Sequence, residues 1–224
     1  KKVYLAIVLA CLSFSGFGQT TVNTGFENSG AFPPTGWTTT GSTTYLSAVT
    51  SGTSPTASVP GGSYMCRWNS YSLSSGNALL ISPVVDWSTR ASVPTSVTIW
   101  WWRDCASYNS SGYSTEGITA YVNTSASITG ATAMGFVPRA GVVSTSGGVT
   151  GTATTTTSGW QQYTFTVPTT FNSSVNYIIF KFVSQFGDNC YLDDVVSAAW
   201  ASWVSPASSW TSTACGECAA ALSD

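Results

Sequence analysis

Ser96-Val97-Thr98-Ile99-Trp100-Trp101-Trp102-Arg103-Asp104-Cys105 is the stretch whose reading decides the fold. It is dense in β-branched and aromatic side chains and holds neither Gly nor Pro, so it reads as the strongest strand of the chain. Strand alternation sends Val97, Ile99 and Trp101 to one face and Trp100 and Trp102 to the other. If the first set fills a core, the two remaining indoles lie on the outer face of a sheet. A large apolar patch there marks a binding surface, or a place that a loop or the C-terminal tail covers.

Outward from this strand the same signals recur. Strands are expected at Thr20 to Glu27, weakly at Tyr45 to Val49, and at Ser63 to Tyr71. Ala78 to Asp86 follows, limited by Pro83 to an edge or a break, then Gly117 to Asn123, Gln161 to Val167 and Tyr177 to Val183. Ala31-Phe32-Pro33-Pro34-Thr35-Gly36-Trp37 is a turn-rich link that delivers Trp37 into the core. The Thr, Ser and Gly of 38–62 and 140–158 read as long loops, and no segment has helical periodicity. Many short strands without helices predict an all-β fold, a two-sheet antiparallel β-sandwich of jelly-roll type. The chain of 224 residues suffices for one such domain with a real core.

A second strand, Cys190 to Val196, follows the turn Phe186-Gly187-Asp188-Asn189 and carries acids among apolar residues. Alternation places Asp194 between Leu192 and Val196, on their face, where a carboxylate is costly unless a cation or several donors meet it. Glu27, just after the probable core aromatic Phe26, is a second acid in an unusual position. Acids at both ends of one domain suggest a shared metal.

Only 7% of the residues are charged and His is absent, while 43% are hydrophobic and 13% aromatic, which excludes a disordered chain. A formal charge of −2 with scattered basic residues gives no electrostatic reason to bind nucleic acid. Without His the commonest general base and the usual Ser and Cys triads are missing. Asp86, Asp104, Glu116 and Asp188 are available as glycosidase acids, but no motif pairs them, so the protein is not expected to be an enzyme.

Lys1-Lys2, the apolar run Val3 to Leu12 and the segment Ser13 to Gln19 have the layout of a secretory signal, residues 1–19. The alternative is a lipoprotein signal with Cys11 lipidated. Cleavage near Gln19 would leave five basic against nine acidic residues, a net charge of −4. No other segment approaches the length of a membrane span. Export permits disulfides, and Cys66, Cys105 and Cys190 in expected strands could be stapled in any pairing. Cys215-Gly216-Glu217-Cys218 lies in a Trp-rich tail, 199–224, and reads as a local disulfide in preference to half a zinc site. Asn109, Asn123 and Asn172 match the N-glycosylation pattern, as chance matches do in a chain so rich in Ser and Thr.

Several ordered motifs resemble a known family. They are Phe26-Glu27 with Pro33-Pro34-Thr35-Gly36-Trp37, Leu80-Ile81-Ser82-Pro83 with Asp86, Arg103-Asp104, Gly117-Ile118-Thr119-Ala120-Tyr121-Val122-Asn123-Thr124, Gly159-Trp160-Gln161-Gln162-Tyr163, and Tyr191-Leu192-Asp193-Asp194-Val195. Together they resemble the cleaved-adhesin or MAM-like jelly-roll modules of secreted and surface proteins in Bacteroidetes-type bacteria. The resemblance spans roughly Thr20 to Val196, within an expected domain 20–198. It implies a galactose-binding-like jelly roll, extracellular or at the cell surface, that binds a glycan or another surface ligand and has no catalytic centre. It also implies a structural Ca2+ that ties the first strand to the last, with Glu27, Asp193 and Asp194 as side-chain ligands. For the ligand, Trp100 and Trp102 supply flat faces suited to sugar rings, and Asp104 and Tyr108 lie close enough in sequence to supply polar contacts. The alternative role is a self-assembling subunit of an extracellular filament or sheath, with Trp200, Trp203 and Trp210 docking on a neighbouring copy.

Overall fold

The computed structural model describes residues 22–90, 95–104, 115–144, 148–154 and 157–199. The described residues form twelve strands: β1 (Asn23–Thr24), β2 (Thr38–Gly41), β3 (Leu46–Val49), β4 (Met65–Trp68), β5 (Gly76–Ile81), β6 (Thr95–Arg103), β7 (Gly117–Asn123), β8 (Thr132–Pro138), β9 (Val149–Gly151), β10 (Gly159–Val167), β11 (Tyr177–Ser184) and β12 (Cys190–Ala199). Single 3-10 turns at Thr43–Tyr45 and Ser70–Ser72 are the helical elements among the described residues.

The strands form two antiparallel sheets. One runs β3-β4-β12-β6-β10-β9, with β1 beside β12, and the other runs β2-β5-β11-β7-β8. The chain crosses between sheets at eight of the eleven connections between consecutive strands, so the central strand β12 pairs with β4, β1 and β6, all distant in sequence. The expected all-β sandwich is therefore the fold.

The core lies between the sheets and follows the alternation of each strand. Val97, Ile99 and Trp101 are fully buried, facing Phe180 and Phe182 of β11 across the layer. Trp101 and Trp68 both pack on Phe182 at centroid distances of 6.2 and 6.0 Å, and Trp37 stacks on Phe180 at 6.4 Å. Burying each such side chain contributes roughly 2–3 kcal/mol.

Three strands fall where loops or nothing regular were expected. Thr38–Gly41 and Val149–Gly151 are edge strands whose Thr and Gly side chains carry little apolar signal, and β8 was hidden by its Gly and Pro. The expected first strand shrinks to Asn23–Thr24, because Phe26 at φ 61 turns the chain away. Cys66 and Cys190 are buried free thiols. Cys66 pairs with Leu192 and Cys190 with Trp68, so the two cysteines are diagonal and too far apart for a bridge. Cys105, the 1–19 segment and the tail after 199 lie outside the described residues.

Candidate functional site

The acids of β12 occupy an irregularity in the ladder with β6. Register shifts between Asp193 and Val196, and Asp194 takes the left-handed conformation at φ 46. The bulge breaks the alternation on which the sequence reading relied. Leu192 and Val195 point into the core, whereas Val196 is half-buried, so Asp194 does not share a face with both Leu192 and Val196. Asp193 is fully buried and Asp194 half-buried.

Two chain segments bring three glycines against these carboxylates. A Cβ on Gly25 would sit 3.2 Å from Asp194 Oδ1 and 3.8 Å from Asp193 Oδ1, and one on Gly61 would sit 3.5 Å from Asp194 Oδ2. At Gly62, which has φ 67, a Cβ would collide with the Glu27 carboxylate. Glu27 accepts backbone N–H bonds from Ser63 at 2.9 Å and Tyr64 at 3.0 Å. Asp193 Oδ1 accepts the Asp194 N–H at 2.9 Å, while Asp193 Oδ2 is buried with no hydrogen-bond partner.

Burial pushes the Asp193 carboxyl up to about 7, and the carboxylates of Asp194 and Glu27 push in the same direction against the Asp194 N–H. The sequence thus named three acids that fold into one neighbourhood. Among the described residues, no three metal-ligating side chains meet as one closed set. The donors suit a hard cation that takes carboxylates together with backbone oxygens, because the orphaned Oδ2 and the crowded charges both lack a counterpart. Beside the acids opens a cleft of about 390 Å³, lined by Gly25, Glu27, Asn28, Trp37, Pro83 and Val84 among others.

The two outer-face indoles part company. Trp102 packs edge-on against Trp160 at 5.7 Å and belongs to a small cluster with Ala57, Met65 and Tyr191. The segment between β3 and β4 covers it. Trp160 Nε1 donates to Ser58 O at 2.6 Å, Tyr191 OH to Thr53 O at 2.6 Å, and Asn189 Nδ2 to Thr53 O at 2.7 Å. Trp102 thus packs against this cluster while staying half-buried itself. Trp100 is half-buried between Gln162 and Asp193 on the neighbouring strands. Tyr108 lies outside the described residues.

Asp104 is buried and committed. Its Oδ2 takes the Arg139 guanidinium at 2.7 Å and its Oδ1 the Ser158 hydroxyl at 3.0 Å. Arg139 also pairs with Glu116 at 2.9 Å, and the other Glu116 oxygen accepts the N–H groups of Gln185 and Gly187. Structure therefore brings together Asp104 and Glu116, two of the acids considered for hydrolysis, but binds them in an ion-paired lock at one end of the sandwich. Asp86 is spent on Ser88.

Sequence reading missed the outer face of the five-stranded sheet. Register lays two rows across it: Thr38, Ile81, Ile179, Tyr121, Ala133, and beside it Thr40, Leu79, Lys181, Thr119, Phe136. Leu79, Ile81 and Ile179 form a thin apolar layer, with Tyr121 and Tyr177 half-exposed against it. Part of the face is roofed by the β7–β8 connection, which Asn123 holds through bonds from Nδ2 to Ser127 O and Thr129 O. Tyr121, Ile179 and Lys181 in alternation on facing strands were the readable signal, but each strand alone looked like a core strand.

With the geometry in hand, the fold is a two-sheet antiparallel β-sandwich similar to that of solved cleaved adhesin domains. Neither a protein-family model nor a curated protein matches the chain by sequence. Among solved structures it is similar to the K1 cleaved adhesin domain of Lys-gingipain from Porphyromonas gingivalis W83. That match has 17% identity and a TM-score of 0.51, covering 80% of this chain and 98% of that one. The K3 domain of the same protein matches at 19% identity and TM-score 0.50, covering 81% and 99%, and the K2 domain at 17% and 0.50, covering 80% and 97%. Among the described residues, no helix is long and apolar enough to cross a membrane.

Proposed function

We propose that this chain is a non-catalytic adhesin-like module, exported or at the cell surface, that binds carbohydrate on the outer face of its five-stranded sheet. The observation that carries this reading is the pair of rows across that face. Half-exposed Tyr121, Tyr177 and Phe136 stand among the hydroxyls of Thr38, Thr40 and Thr119 on a rigid floor of Leu79, Ile81 and Ile179. Flat rings stack on the apolar faces of sugars, and hydroxyls set at strand spacing meet the sugar hydroxyls. The opposite sheet is a poorer platform, since the β3–β4 connection packs over part of Trp102 and binds Trp160. A glycan array with Tyr121→Ala and Tyr177→Ala tests the reading: bound glycans should be lost while the melting transition stays cooperative. Unchanged binding in both variants sinks it.

Asp193, Asp194 and Glu27 would hold a structural Ca2+. The ion would supply the positive charge that lets three carboxylates lie close together. The residues themselves tie β1 and the Gly61-Gly62 turn to the central strand β12. The alternative role as a filament subunit rests on tryptophans outside the described residues.

A further inference from the structure

Basic side chains are few in this protein, and their places differ sharply. Arg90, Arg103 and Arg139 are buried: Arg90 holds the carbonyls of Phe171 and Val167, Arg103 bonds Tyr163 OH and the carbonyls of Arg139 and Gly141, and Arg139 holds its two acids. Arg67 is half-buried on the outer face of the other sheet, between Ser47 and Tyr191. Lys181 is the one lysine among the described residues.

Lys181 sits on β11, the central strand of the proposed binding face, in register with Leu79 on one side and Thr119 on the other. Every described acid lies elsewhere. Glu27, Asp193 and Asp194 crowd around Gly25, Gly61 and Gly62, Asp104 and Glu116 clasp Arg139, Asp188 lies in the β11–β12 connection, and Asp86 follows β5. The face thus carries a lysine on its central strand and none of the described carboxylates, with Thr119 and, one strand further out, Phe136 in its row, and Tyr121 in the next. Lys181 is half-buried as a residue, and its ammonium, carried on an otherwise neutral, partly apolar floor, attracts an anion.

We propose that the saccharide taken by this face is acidic, with its carboxylate or sulfate meeting the Lys181 ammonium while neighbouring sugars stack on Tyr121 and Phe136. This rests on the platform reading above. It assigns the ligand class, since a neutral glycan would leave the ammonium facing a sugar without a counter-charge.

The test is calorimetric titration of the mature protein, at fixed calcium, with short oligomers of three kinds: oligogalacturonate, sulfated galactan and neutral galactan. Variants are Lys181→Gln, Lys181→Arg and Tyr121→Ala, each checked by thermal melting. An acidic oligomer should bind, weaken about 10- to 100-fold in Lys181→Gln, recover in Lys181→Arg, and weaken between about 50 and about 500 mM salt. Preference for the uronate assigns the carboxylate, and preference for the sulfated oligomer assigns the sulfate. Equal binding of the neutral oligomer, unaffected by Lys181→Gln, overturns the proposal and leaves the platform standing. Binding of any oligomer that survives Tyr121→Ala at wild-type strength, or the absence of binding altogether, removes the platform and the proposal together.

Discussion

In calcium-free solution the acid cluster should make the protein lose stability as pH rises. Asp193 has its carboxyl raised from an ordinary 3.8 to about 7, chiefly by burial. Below pH 3.8 the group is neutral folded and unfolded, and it costs nothing. Between 3.8 and about 7 the unfolded chain ionises while the folded chain keeps its proton, so stability falls by about 1.36 kcal/mol per pH unit. Above about 7 the loss levels off, with a ceiling of about 4 kcal/mol. Between about pH 5 and pH 8 the change is about 3 kcal/mol, or roughly 6–12 °C in Tm for a domain of this size. Asp188, also raised by burial, adds in the same direction, so Asp193→Asn isolates the main contribution. Differential scanning calorimetry in chelator should show the wild-type Tm falling across this window and the Asp193→Asn Tm falling much less. Saturating Ca2+ should hold the wild-type carboxylate ionised in the folded state and abolish the fall. A flat wild-type profile in chelator, or no response to calcium at pH 8, refutes the reasoning.

Other expectations follow from packing and charge. Trp102→Ala should cost about 2–4 kcal/mol in urea unfolding, because the indole fills the cluster under the β3–β4 connection, whereas Trp100→Ala should cost less than half as much. Equal costs would mean that the cover does not pack as described. Arg139→Met leaves Asp104 and Glu116 buried without a counter-charge and should cost about 3–5 kcal/mol. A loss below about 1 kcal/mol would show that the ion-paired lock is dispensable. Cys66 and Cys190 should resist a thiol reagent in the folded protein and react on unfolding, since burial raises both thiols above their ordinary value. Rapid native labelling of either, read by peptide mass mapping, would contradict their burial.

The sandwich was legible because its central strands obey alternation over their full length: Val97, Ile99 and Trp101 against Trp100 and Trp102, and the exact span Gly117–Asn123. Edge strands were not, because Thr38–Gly41 buries no side chain fully and Val149–Gly151 only Val149, and both owe their form to a partner strand. Glu27, Asp193 and Asp194 could be brought together on paper by the family resemblance, but the bulge at Asp194 could not. A left-handed aspartate looks like any other in sequence. The fate of Trp102 depended on what covers it. The covering segment is mostly Ser, Thr, Gly and Pro, and it is held by a few hydrogen bonds from Trp160, Tyr191 and Asn189. The proposed binding face stayed hidden for the opposite reason. Its residues come from five strands, and only register sets Thr40, Leu79, Lys181, Thr119 and Phe136 in one row.

Titration of the protein with the saccharides of a glycan array, wild type against Tyr121→Ala with Tyr177→Ala, tests the central claim most directly. The account predicts at least one saccharide that binds the wild type and fails to bind the double variant, with both proteins melting as folded domains. Binding that persists in the double variant, or no binding by the wild type in calcium, would contradict it.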